Sequence, residues 1–499
     1  MPMQHGRRAL AYVAAIVLLA AAAFYNGYPL VFSDSGTYVD SSFGLEVPLD
    51  RPAAYGAFLA ASHWKTTLWL PVLLQGAVVV FVLDVILAAV RTGARPGLAV
   101  LPIVALLAAG SALPWFTGQI MPDVFAGVLV LTLFLLLFCP DDLSAARRRL
   151  VGLLCVLSIA VHFSHILLAA ALVVTAASWW AALRLARGGP PRPVRLGYAT
   201  TCLGLSIVIS VLFNLVRTGE PFLFSRVSHV FLTGRLVSNG LIQRLLDERC
   251  DGASYALCGL RDRLVADSDH YIWSPDSPIH ALGGFLGSKE ESRRLIHDVI
   301  VAYPGAVAAS SLRAAVAQMA TFRTGDGLGV YGDDTWIGRV VRRRFPSEAG
   351  AYFRSRQQQG TLWSDAQRVA DVHQVIVWAC LAASPALALL DRRRGRDRLA
   401  RLHVFVWIAL LENAAITGAL STVVDRYQAR IVWLLTLAVL LSVDAAVREG
   451  AQRGVGTRLG LAVPHDRQPA RSDDPLPGAR AKRRDASSAE ASATPPRSR

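Results

Sequence analysis

Ten apolar runs, at about 10–32, 67–90, 98–113, 124–139, 150–162, 166–183, 197–216, 373–390, 402–420 and 430–447, divide the chain into greasy stretches and short polar connections. A membrane-crossing helix needs roughly 20 mainly apolar residues, fewer where protein shelters its ends. The pattern therefore predicts an all-α polytopic membrane protein of about ten transmembrane helices. Residues 150–183 admit two readings, one long tilted helix or two short ones broken at His162-Phe163-Ser164-His165. The broken form keeps both arginine-rich flanks on one side. The basic start, first apolar run and Ala21-Ala22-Ala23 also fit a signal peptide. Its removal would upset the charge alternation, so the run reads as a retained helix.

That alternation gives sidedness. Arg7 and Arg8, the connection 91–97, Arg147 to Arg149, four arginines in 184–196 and six in 391–401 alternate with 33–66, 114–123, 163–165 and 421–429, which carry few bases or none. The positive-inside rule puts both termini in the cytoplasm of a multi-pass cell (inner) membrane protein. Composition agrees: 53% of the 499 residues are apolar and 17% charged, against about 25% charged in a typical soluble chain. The formal charge of +15 then belongs to the connections rather than to a nucleic-acid partner. Only Lys65, Lys289 and Lys482 among the 51 bases are lysines, and aromatic or Gly-rich companions of a nucleic-acid surface are missing.

The organisation follows as an N-terminal transmembrane region 1–216, an external, mainly helical domain 217–372, a C-terminal transmembrane region 373–447 and a tail 448–499. Within the external segment, helical periodicity marks Leu236 to Leu246, Glu290 to Val301 and Pro304 to Met319. Cys250 and Cys258 are its only cysteines, and an oxidising exterior favours a disulfide between them over two buried thiols. The tail, with 11 bases against 6 acids and many Pro, Ser and Ala, reads as disordered and attracted to anionic membrane lipid.

The charges left on the external connections are few. The first holds Phe32-Ser33-Asp34-Ser35-Gly36-Thr37-Tyr38 and then Asp50-Arg51-Pro52-Ala53-Ala54-Tyr55; the second ends Met121-Pro122-Asp123; the last is Asp425-Arg426-Tyr427-Gln428-Ala429-Arg430. Each has a plain reading, since Asp34 and Asp123 stand where helix caps belong and Asp425-Arg426 fits a surface ion pair. Taken together, over roughly 10–183 and 420–447, the motifs resemble the GT-C superfamily of polytopic glycosyltransferases, which take a sugar from a polyprenyl-phosphate donor. In that superfamily an acidic residue follows the first helix and precedes a basic-Pro-Pro-Leu-Tyr-like stretch, a second acid opens the fourth helix, and an Arg-Tyr pair precedes a late apolar helix. Here Ala53 replaces the second proline, and His162 and His165 stand where a Thr-Lys-like turn is expected.

The resemblance implies an inverting, lipid-linked-donor glycosyltransferase with a glycan, lipid or protein acceptor. Asp34 is the implied base for the acceptor hydroxyl, and Arg426, whose fork holds two phosphate oxygens, the group that steadies the leaving phosphate. Arg51, His162 and His165 are further candidates for the phosphate, with Tyr55 and Tyr427 in the matched motifs. Asp123 would position the acceptor, and either Asp123 or Asp34 would bind a divalent metal ion, which no closely spaced carboxylate cluster demands. Two rival classes stand beside this one. Asp84 and Glu412-Asn413 inside apolar runs fit the proton coupling of a transporter or lipid flippase, although no internal repeat joins two halves of the chain. A non-catalytic scaffold whose external domain binds a partner is the other. Asp326, Asp333 and Asp334 lie in a Gly-rich stretch that reads as a turn serving as a lid, or as a cation loop lacking the terminal glutamate of a calcium hand.

Overall fold

The computed structural model describes residues 2–91, 98–187, 194–251 and 255–458, and among them every regular element is a helix. The basic connections at 92–97 and 188–193, and the tail from 459 onward, lie outside the described residues. In chain order, α1 (Pro2–Leu19) is followed by α2 (Ser35–Gly44) and α3 (Ala53–His63), which fill the first polar connection. The apolar helices α4 (Trp69–Val90), α5 (Val100–Gly110), α6 (Val124–Phe138), α7 (Ala145–Ala160), α8 (Phe163–Arg187) and α9 (Leu196–Thr218) come next. The segment 217–372 holds α10 (Ser228–Ser238), α11 (Lys289–Ala302), α12 (Pro304–Ala320) and α13 (Trp336–Arg344), with shorter turns of helix between them. Three long helices, α14 (Leu362–Arg393), α15 (Asp397–Leu420) and α16 (Asp425–Arg458), close the order.

Six of these, α4, α8, α9, α14, α15 and α16, are long and apolar enough to cross a membrane, which fits a polytopic membrane protein. The other four apolar runs fold as α1, α5, α6 and α7, each short of that test. α6 shows why a short helix suffices: all its residues from Val124 to Leu137 are buried, so protein rather than lipid surrounds it. The stretch 150–183 is broken, at Val161-His162, and its second helix is a full span. Ser144 starts α7 as an N-cap, its Oγ accepting from the backbone N–H of Arg147 at 3.3 Å.

Contacts divide the chain after Ala446, and beyond that point α16 continues to Arg458. Within the first unit, the segment 217–372 has no single core. Residues 227–307 close around Val230, Leu236, Ile242, Leu245, Tyr271 and Leu295, with Cys250 and Cys258 joined in a disulfide. The helical stretch expected at Leu236 to Leu246 is interrupted at Asn239-Gly240, giving α10 and a second helix, Leu241–Arg249. α11 and α12 meet the expectation for 290–319 and are bent against each other by 99°. α12 lies against α15 so closely that a Cβ at Gly418 would stand 2.7 Å from the Ala314 carbonyl oxygen. α13 joins the main core through Ile337, Val340 and Val341, with Phe345 just after it.

One end of the bundle gathers the arginine-rich connections. Arg91 bonds Asp444 at 2.8 Å, and Arg398 bonds Asp142 at 2.8 Å and the carbonyl oxygen of Ala89 at 2.7 Å. Arg396 bonds the buried Asp391 at 2.9 Å, and Ser442 and His403 continue that network. The opposite ends of α8, α15 and α16 frame the site described next.

Candidate functional site

The connection leading to Asp34 is clamped from two sides. Leu30 pairs with the second connection, its N–H donating to Gly118 O (2.9 Å) and its carbonyl accepting from Ile120 N (2.8 Å). The Gln357 amide accepts from Val31 N–H and donates to Val31 O, as a neighbouring strand would. Ser35 Oγ accepts from Phe32 N–H and donates to Ile120 O. Asp34 therefore sits at the start of α2 with its carboxylate unused as a cap.

That carboxylate faces a cavity of about 940 Å³ and meets Arg51 at 2.7 Å. Both side chains are 16% exposed. Arg51 also reaches the Asp50 carbonyl oxygen at 3.0 Å and carboxylate at 3.4 Å. Burial alone raises the Asp34 carboxyl, but Arg51, and Arg426 further off, outweigh it and hold the group below the usual carboxylate range. Asp34 is thus an anion paired with a cation at any ordinary pH.

Arg426 opens α16 on another wall of the same cavity. Its backbone N–H donates to Asp326 Oδ2 at 3.0 Å, while Asp425 Oδ1 accepts from Arg323 N–H at 2.6 Å. The Gly-rich stretch is therefore a turn that caps α16. Its Arg342–Asp333 ion pair lies to one side, and no group of three or more His, Cys, Asp or Glu able to hold a metal occurs among the described residues. The Arg426 guanidinium lies 4.0 Å from the centre of the Phe32 ring, and its Nη1 is buried without a hydrogen-bond partner. Phe32 is held in turn by Gly327, where a Cβ would stand 1.9 Å from the ring and the backbone has φ +75°. The stack Gly327–Phe32–Arg426 fixes a guanidinium in the cavity wall, with Nη1 buried and unpartnered.

Three expected site residues lie elsewhere. Asp123, 1% exposed, sits behind the wall, where its Oδ1 accepts from Arg430 Nη1 at 3.2 Å and stands 4.0 Å from Arg426 Nε. Tyr55 is wholly buried, donating its hydroxyl to Gln75, whose amide donates to the carbonyls of Thr117 and Gln119. His165 is also buried, its Nδ1 bonded to the Ser158 carbonyl at 2.8 Å. Each of the three is held inward by its own buried partner, Arg430 for Asp123, Gln75 for Tyr55 and the Ser158 carbonyl for His165. His162 and Tyr427 do line the cavity; the His162 ring meets Ser164 Oγ at 2.8 Å, and the Tyr427 hydroxyl pairs with Ser421 Oγ at 3.1 Å. Asp84 and Glu412 do not reach it. They pair with Arg147 at 3.5 Å and Thr175 at 2.6 Å.

Sequence reasoning missed three features. Arg430, fully buried, links Asp123 to Ser164 Oγ (2.9 Å) and Asn413 Oδ1 (3.3 Å), tying α6, α8, α15 and α16 together beneath the cavity. Its spacing of four from Arg426 was the available signal, since both then share a helix face. Asp326 was visible only as part of a turn. The third is an aromatic wall from 224–273: Phe224, Phe231 and Trp273, with Trp273 edge-on to Phe231 and Phe285, and Ser228 and Asp269 beside them. Burial, with Asp267 and Asp326 nearby, raises the Asp269 carboxyl. The cavity thus has a charged half and an aromatic half. No protein family, curated protein or solved structure matches the chain.

Proposed function

We propose that the chain is an integral membrane glycosyltransferase that moves a sugar from a polyprenyl-phosphate donor to an acceptor hydroxyl at the outer face of the membrane. In this reading the ten apolar runs are ten crossings in a GT-C-like arrangement, with both termini cytoplasmic. The observation that carries it is the meeting of Asp34 and Arg51, from the first polar connection, with Arg426, from the last, in one cavity of about 940 Å³. A pocket of that size lies within the roughly 300–1,000 Å³ usual for ligand sites.

Catalysis follows from the charges. Donor phosphate enters beside the Arg426 guanidinium and competes with Asp34 for Arg51. As Arg51 turns to phosphate, Asp34 loses the partner that depresses its basicity and accepts the proton of the acceptor hydroxyl. The acceptor oxygen bonds to the anomeric carbon from the face opposite the phosphate, the bond from that carbon to the phosphate oxygen breaks, and the lipid phosphate leaves with both electrons. Arg426 and Arg51 stabilise its charge. The aromatic half offers ring faces for stacking and Ser228 and Asp269 for hydroxyl groups.

The test is covalent product formation. The full-length protein in detergent, given a panel of radiolabelled polyprenyl-phosphate sugars and a lipid and glycan extract, is expected to yield a new labelled product. A transporter or flippase moves label only across a sealed vesicle and yields none, which would overturn the reading.

A further inference from the structure

The two helices that frame the first cavity, α8 and α15, part again at their arginine-rich ends around a second cavity of about 590 Å³, with no lining residue in common. Leu172 and Ala176 on α8 and Val404 and Ile408 on α15 form its walls. Both helices are apolar enough to cross a membrane, and Val404 (52%) and Trp179 (62%) face outward, so the groove opens toward acyl chains. Its deep end is closed where Thr175 donates to Glu412.

The rim is different. Arg392 and Arg401 line it together with Trp179 and Trp180, and Arg184 lies over the Trp180 ring at 5.3 Å. The single acid there, Asp397, stands 4.0 Å from Arg401. Three guanidinium groups against one carboxylate leave the rim cationic. Indoles beside arginines at the end of a membrane helix mark the headgroup level. Ala400 and Leu420 are separated by about 30 Å along α15 at 1.5 Å per residue, so a ligand at this rim is remote from Arg426.

We propose that this groove holds one anionic phospholipid, with its phosphate between Arg392 and Arg401 and an acyl chain along Leu172, Ala176, Val404 and Ile408. The apolar groove selects a lipid over a free phosphate ion, and the net charge of the rim selects an anionic over a zwitterionic headgroup. The site does not depend on the transferase reading.

Native mass spectrometry of the full-length protein in detergent, with equal amounts of phosphatidylglycerol and phosphatidylcholine, tests it. One phosphatidylglycerol is expected to stay bound, with phosphatidylcholine retained at least several-fold less. The double variant Arg392→Gln/Arg401→Gln is expected to lose retention by about 25-fold, about fivefold per arginine. Ala176→Trp, which fills the groove without changing charge, is expected to lose it as well. Equal retention of the two lipids, or undiminished phosphatidylglycerol in the arginine variant, overturns the proposal. Loss in the arginine variant with full retention in Ala176→Trp also overturns it, since it places the lipid on surface charge and not in the groove.

Discussion

At the scale of single residues, Arg426 and Arg430 are the same side chain four positions apart, yet their surroundings give them different work. Arg426 is held by a ring stack in the cavity wall, whereas Arg430 lies behind the wall, bonded to Asp123, Ser164 and Asn413. Arg426→Ala should raise the KM for donor at least tenfold with little change in melting temperature. Arg430→Ala takes from buried Asp123 its hydrogen-bonded partner and leaves only Arg426 Nε at 4.0 Å, which costs up to about 3–5 kcal/mol and should lower the melting temperature by several degrees. Measuring both quantities in both variants separates the roles; a shared phenotype contradicts the assignment. The Asp34–Arg51 pair makes a pH prediction. The depressed Asp34 group contributes stability above its unfolded value, and that contribution is lost only as pH falls through the lower folded value. The acid limb of kcat/KM should therefore lie below about 3.9, the ordinary value for aspartate, and Arg51→Gln should move it upward. A limb that does not move in Arg51→Gln would show that Asp34 is not the titrating group.

Among the elements, the long apolar helices were legible because an apolar run near 20 residues carries its own signal, independent of what it packs against. α6 was visible as an apolar run but not as a short, protein-enclosed helix, because its neighbours come from distant parts of the chain. The site residues divide the same way. Asp34, Arg51 and Arg426 stood out as charges that topology did not require, while Asp326, about 100 residues from Arg426 in sequence, was tied to it only by the turn that caps α16. The aromatic wall was hidden because Phe231 and Trp273 look like core residues in a segment with helical periodicity. Tyr55 and His165 were named from motif position, and position does not report burial. The turn at Gly327 carries an element-scale prediction. Gly327→Ala adds a Cβ into the Phe32 ring and should displace the Arg426 stack, lowering transfer by about 100-fold, the cost of misplacing a group by roughly 1 Å. Full activity in that variant would show that the stack does not position the arginine.

On the scale of the whole molecule, charge is sorted by end. The arginine-rich connections bond acids such as Asp142, Asp391 and Asp444 at one end of the bundle, and the cavity with Asp34 and Arg426 opens where α8 and α16 begin and α15 ends. In the proposed topology the cavity end is external. Single cysteines placed at exposed positions near Asp50 and near Arg394 should react and resist, respectively, when a membrane-impermeant thiol reagent is added to intact cells, and the reverse pattern contradicts the orientation. The disulfide Cys250–Cys258 accords with the proposed orientation, in which its segment faces an oxidising exterior.

If the cavity around Asp34 transfers a sugar, the variant Asp34→Asn must lose that activity. It keeps the size of the side chain and removes only its charge and basicity. In a detergent assay with radiolabelled polyprenyl-phosphate sugar and acceptor, turnover should fall by about 100-fold or more, as loss of a general base brings, with an unchanged elution profile. Near-normal turnover by Asp34→Asn would contradict it.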